Sequence, residues 1–156
     1  MRMNMKVRTL SQQHSIEFFN VDDSNPLHLQ FVGDISHGFP LPSEDYMDKF
    51  ISLDEELVKN KDATIYGRVK GDSMKDANLE EGDVLIIDRA VKVESGEIGI
   101  FRIDGDFICK RLYIFTDRVE LHPANKRFKV HTYDNDNLPS DFLCIGRVMY
   151  TIKKTR

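Results

Sequence analysis

Gly71-Asp72-Ser73-Met74 puts a serine hydroxyl on a tight turn, and Lys110 follows 37 residues later in the apolar run Phe107-Ile108-Cys109-Lys110-Arg111-Leu112. Each residue alone is ordinary. Together they are a candidate Ser-Lys dyad, in which a neutral amine takes the proton of a hydroxyl that then attacks a carbonyl carbon. A lysine amine has an ordinary pKa of about 10.4, so it serves as a base near neutrality only where burial disfavours its charge. Strand alternation sets Ile108 and Leu112 on the face of Lys110, with Phe107, Cys109 and Tyr113 on the other. Both faces are largely apolar, and periodicity does not say which one meets Ser73. Arg111 is excluded as a base because guanidinium keeps its proton in proteins. The backbone N–H groups of Ser73 and Met74, at a strand-to-turn junction, are candidates for an oxyanion hole. Two blander readings compete. Asp72 or Ser73 would merely cap a helical turn at residues 74–77, and Lys110 would be an edge-strand lysine with its head in water.

Other reactive side chains are less suggestive. His14, His28, His37, His122 and His131 have no metal-ligand spacing. Cys109 beside Lys110 could act as a thiolate, but alternation points the two apart, and a packed core cysteine is the better reading. Asp134-Asn135-Asp136-Asn137 resembles part of a calcium loop without its glycine or closing glutamate, so a solvated turn is expected. Lys153, Lys154 and Arg156 read as a charged chain end.

The elements that must hold Ser73 and Lys110 come from the change of period. From Ala63 the pattern alternates, giving expected strands at 64–70, 83–88, 98–103, 107–115, 118–122, 128–132 and 142–152. Asp104-Gly105 between two of them is a type I′ hairpin signal. Two short helices precede the strands, one at 43–50 behind Pro40-Leu41-Pro42 and one opened by Ser52-Leu53-Asp54-Glu55 with capping-box spacing. Residues 1–37 show no sustained period and read as an extended arm with one strand at 27–32. They are too short and too poor in helical pattern for a helix-turn-helix domain. The expected architecture is a mainly-β domain, a distorted barrel or folded sheet, behind that arm.

Bulk composition sets limits. With 156 residues the chain is one domain by the usual size prior. A net charge of −4 argues against general nucleic-acid affinity, and no stretch approaches the length of a membrane span. Arg2, Lys6 and Arg8 are followed by no apolar run, which does not fit a signal peptide. Cys109 and Cys144 lie in apolar contexts and are expected as reduced, buried thiols in the cytoplasm.

Three motifs, Gly71 to Asp76, Glu81-Gly82-Asp83-Val84-Leu85-Ile86-Ile87-Asp88, and Gly105 to Leu112, resemble the LexA/UmuD family of self-cleaving proteins in order and spacing. The resemblance runs from Gly38 to Arg156 and is closest to UmuD, the accessory subunit of an error-prone DNA polymerase. It implies Ser73 as nucleophile, Lys110 as general base and His37–Gly38 as the bond cut, since the family cuts just before a glycine in its own N-terminal segment. It further implies a β-clip fold related to the signal-peptidase core, residues 1–37 as the piece removed, and residues 38–156 as the protease and dimerisation domain. The expected partners are a second copy, a RecA filament on single-stranded DNA and a UmuC-like polymerase. No cofactor, metal, membrane or sequence-specific DNA contact is expected. Position 37 departs from the pattern: the family usually has alanine or cysteine before the cut, and this chain has histidine. That departure keeps a second class of reading alongside the first, a non-cutting dimeric interaction module of the same fold. A repressor fragment fits less well, because no DNA-reading helix is legible.

Overall fold

The computed structural model describes residues 16–20, 28–30 and 50–155. They fall into two compact units, one holding residues 16–20 and 60–155, the other 28–30 and 50–59.

The larger unit is a single antiparallel sheet of eight strands. In chain order these are β1 (Ile16–Asn20), β4 (Thr64–Val69), β5 (Val84–Asp88), β6 (Ile98–Ile103), β7 (Asp106–Ile114), β8 (Arg118–His122), β9 (His131–Asp134) and β10 (Leu143–Ile152). Across the sheet they run β1-β4-β5-β10-β6-β7-β8-β9. The last strand of the chain therefore sits between β5 and β6. β10 steps its register between Cys144 and Gly146 and again between Val148 and Tyr150, which bends it to serve both neighbours. The sheet curls. Phe18 of β1 packs edge-on against Phe107 of β7, with ring centroids 5.0 Å apart, although four strands separate them in the sheet.

Curling gives the sheet two cores. Ile16, Val69, Met74, Leu79, Leu85, Ile87, Ile100 and Cys109 form one, and Val93, Phe101, Ile103, Leu112 and Leu121 the other. β5 is covered on both faces, with Leu85, Ile86, Ile87 and Asp88 all buried, as its unbroken apolar run requires. β7 likewise lies between the cores: Cys109 faces the first and Leu112 the second. Asp104 and Gly105 join β6 to β7 with φ of 50° and 82°, the two positive values a type I′ turn demands. The Asp141 carboxylate accepts both of their N–H groups, at 2.9 and 2.7 Å.

The smaller unit pairs β2 (His28–Gln30) with β3 (Phe50–Ser52) and carries the helix α1 (Leu53–Leu57). Ser52 stands at the N-cap as its spacing predicts, but its side chain makes no capping hydrogen bond.

The mainly-β, β-clip architecture is thus as expected from the sequence, with three local differences. Ile16–Asn20 forms a strand where only 27–32 was read as one. The strand expected at 128–132 begins instead at His131, because residues 123–130 are spent on turns. Of the helix expected at 43–50, all but Phe50 lies outside the described residues, and Phe50 belongs to β3.

Candidate active site

Ser73 follows β4 across Lys70, Gly71 and Asp72. Gly71 has φ +79°, a left-handed conformation that costs a side chain but not glycine, and it turns the chain sharply out of the strand. A single 3₁₀ turn at Lys75–Ala77 comes next, with Met74 at its N-cap and Asn78 closing it at φ 59°. Met74 is buried among Leu79, Leu85 and Cys109, so the residue next to the serine roots the turn in the first core. No side chain caps this turn, and the capping role considered for Asp72 or Ser73 is not filled. Ser73 is left half-buried with its hydroxyl free to meet another group.

That group is Lys110. Its Nζ donates to Ser73 Oγ at 2.8 Å. The side chain emerges from β7, an interior strand paired with β6 on one side and β8 on the other, and is only 5% exposed. The solvated edge-strand reading therefore does not hold. Burial lowers the Lys110 pKa below its ordinary value of 10.5, because the ammonium loses water that nothing on the protein replaces in full. The Phe128 ring, with its centroid 6.0 Å from Nζ, supplies part of that apolar cover. Arg111, one residue on, points elsewhere and donates to the Gly96 carbonyl at 2.6 Å. Cys109 also points away into the first core, and burial pushes its thiol up to about 12, so it is no thiolate at neutral pH.

Ala124 and Asn125 were not singled out from the sequence, yet they hold the serine turn from outside. The Ala124 N–H donates to the Ser73 carbonyl at 2.9 Å, and the Asp76 N–H donates back to the Ala124 carbonyl at 2.8 Å. Asn125 is 5% exposed and donates from Nδ2 to the Asp72 carbonyl at 2.9 Å. Pro123-Ala124-Asn125 was the available signal: a proline and an asparagine between two strands mark a turn whose asparagine can bond backbone. Arg127 adds an ion pair to Asp72 at 3.5 Å. Among the described residues, the N–H groups of Ser73 and Met74 find no acceptor. A hydroxyl, a desolvated amine and two N–H groups with no acceptor among the described residues are the kinds of group that acyl transfer uses.

Residues 30–149 match the family model described as peptidase S24-like. The chain belongs to the peptidase S24-like family. Among curated relatives, Protein MucA of Salmonella typhimurium is 40% identical over 114 residues, which cover 73% of this chain and 75% of that one. Protein ImpA of Shigella flexneri is 36% identical over 120 residues, 76% of this chain and 79% of that one. A LexA repressor of Methylococcus capsulatus is 32% identical over 128 residues, covering 82% of this chain and 61% of the repressor. The LexA/UmuD resemblance read from three motifs is thereby borne out.

The remaining sequence candidates of this S24-like chain find other places. His37 and Gly38 lie outside the described residues. Among the described residues no cluster of histidine, cysteine and acidic side chains could hold a metal ion, and no helix is long and apolar enough to cross a membrane. Residues 134–137 are exposed, as a solvated turn should be. Cys144 is exposed, contrary to the expectation of two buried thiols, because it sits where β10 steps its register. Lys153 pairs with Asp83 at 2.6 Å and Glu80 at 3.0 Å.

Proposed function

We propose that this chain is a self-cleaving serine peptidase of UmuD type, which cuts its own His37–Gly38 bond with Ser73 as nucleophile and Lys110 as general base. The observation that carries this reading is the 2.8 Å contact between Ser73 Oγ and the amine of Lys110, a residue only 5% exposed. Neutral Lys110 takes the Ser73 hydroxyl proton as Oγ bonds to the His37 carbonyl carbon. The negative charge on the carbonyl oxygen is met by the N–H groups of Ser73 and Met74. The C–N bond then breaks, and the Lys110 ammonium returns the proton to the Gly38 amine. Water, deprotonated by the same amine, releases residues 1–37 from the serine ester.

In this reading the homodimer of residues 38–156 becomes the accessory subunit of a UmuC-like translesion polymerase in the cytoplasm, as part of the SOS response to DNA damage. A RecA filament on single-stranded DNA promotes the cut. The resemblance supports these partners, and the family membership supports the chemistry.

His37 favours a second reading. An imidazole must fit beside the scissile carbonyl where a small side chain usually sits, and a chain unable to seat it would be a dimeric interaction module that does not cut. One experiment separates the two. Incubation with RecA, single-stranded DNA and a nucleotide triphosphate, followed by mass spectrometry, is expected to yield a fragment beginning at Gly38. Ser73→Ala is expected to yield none while remaining dimeric. A dominant product with another N-terminus overturns the assigned bond, and no product under any condition, alkaline buffer included, favours the module.

A further inference from the structure

In a trans peptide the N–H points away from the C=O of the same planar unit, so whatever anchors the carbonyl also aims the N–H. The described residues contain no cis peptide, so both units at the nucleophile obey this rule. The unit that carries the Ser73 N–H has the Asp72 carbonyl, which accepts the Lys75 N–H of its own turn at 3.2 Å and, from outside the turn, Asn125 Nδ2 at the shorter 2.9 Å. The unit that carries the Met74 N–H has the Ser73 carbonyl, held by the Ala124 N–H at 2.9 Å. Residues 124 and 125 thus grip two successive carbonyls whose N–H partners have no acceptor among the described residues.

Asn125 is built for this task. It is 5% exposed, and both ends of its carboxamide are engaged. Its Oδ1 accepts the Arg127 N–H at 3.0 Å, while its own carbonyl accepts the Phe128 N–H at 3.1 Å. The first bond fixes the plane of the carboxamide, and so fixes where Nδ2 delivers its proton. The second sets the turn that lays Phe128 toward Lys110, 6.0 Å from Nζ. A buried amide bound at both ends has one orientation, and it costs no rearrangement when charge develops nearby.

We infer that Asn125 is a positioning residue for the self-cleavage reaction: through the Asp72 carbonyl it aims the Ser73 N–H at the oxyanion of the tetrahedral intermediate. This role rests on the reading of Ser73 as nucleophile given above. Among the described residues Asn125 has no hydrogen bond to Ser73 Oγ or Lys110 Nζ; it acts through one peptide plane, whose carbonyl it shares with the Lys75 N–H.

The test is the pH–rate profile of self-cleavage for the parent, Asn125→Ala and Asn125→Asp, with thermal melts of each. Asn125→Asp keeps the shape and the acceptor for Arg127 but removes the Nδ2 donor. Both variants are expected to lower the plateau rate by about 10- to 100-fold, below the 10²–10³ typical for outright loss of an oxyanion donor. For Asn125→Ala the midpoint of the profile is expected to stay where the parent has it, since that midpoint belongs to Lys110. A general loosening of the site would instead admit water and move the midpoint upward with the rate loss. Parent-like plateau rates in folded variants overturn the role of Asn125 and leave the dyad untouched. A midpoint displaced in Asn125→Ala, or loss of the fold in both variants, makes Asn125 a structural residue and overturns it as well. A parent that never cleaves overturns the functional reading, and this role with it.

Discussion

A lysine at 5% exposure has given up the water that would stabilise its charge, and the consequences for reactivity and for stability have opposite sign. The folded chain releases the Lys110 proton at lower pH than the unfolded chain, whose value is the ordinary 10.5. Between the folded value and 10.5 the unfolded state binds more protons, so stability climbs as pH rises through that window. Below the folded value the full burden of a buried charge is present. Lys110→Met, similar in length and without charge, is therefore expected to melt at a higher temperature than the parent at pH 7 and to cut nothing. The gap in melting temperature should narrow as the buffer approaches pH 10.5. A variant that melts at the same temperature as the parent across this range would show that Lys110 is not destabilised by its burial. The chemistry of both residues was legible in the sequence, because only serine and lysine at these positions combine a hydroxyl with a base that can lose its proton. For Asn125 only the turn was legible, in Pro123-Ala124-Asn125: the bond that reveals its role runs to the Asp72 carbonyl 53 residues away, and backbone has no sequence signature.

Two glycines separate what a turn needs from what a packed strand needs. At Gly71 nothing lies within 4 Å of an added Cβ, but φ is +79°. Gly71→Ala should cost about 1–2 kcal/mol in left-handed strain and, because the turn carries Ser73, slow cleavage beyond that loss of stability. At Gly146 an added Cβ would meet the Asp88 carbonyl oxygen at 2.7 Å and Arg89 Cα at 3.0 Å, both backbone. Gly146→Ala should therefore cost about 1–3 kcal/mol by forcing β10 away from β5, with cleavage reduced only in proportion. Urea unfolding and cleavage rates on the same samples check both; equal effects on rate would mean that the Gly71 turn does not position the serine. Most strands were visible from period-two alternation and the Asp104-Gly105 hairpin. β1 was missed because Ile16–Asn20 is too short to show a sustained period and owes its place to β4, against which it pairs. The 128–132 assignment failed because the alternating Phe128 and Val130 stay exposed, at 42% and 45%, in the turns before β9.

At the scale of the molecule, the contact between Ser73 and Lys110 is a product of sheet order. β4 and β7 are separated by three strands, β5, β10 and β6, and β10 comes from the far end of the chain. Spacing along the sequence gives no hint of that insertion, and only the curl of the sheet lets the end of β4 meet the middle of β7. The same curl buries Lys110, since β7 is sandwiched between two cores, so the architecture that joins Ser73 to Lys110 also lowers the lysine pKa. The central claim is that Lys110 works as a neutral amine on Ser73, and the direct measurement is the self-cleavage rate of the parent, Lys110→Arg and Arg111→Ala from pH 6 to 10. The parent rate is expected to rise through a depressed lysine pKa and then level off. Arg111→Ala should follow it, because that side chain binds Gly96 and not the serine. Lys110→Arg should stay flat at background, because arginine keeps the charge and cannot give up its proton. A Lys110→Arg chain that cuts at the parent rate would contradict the Ser-Lys mechanism.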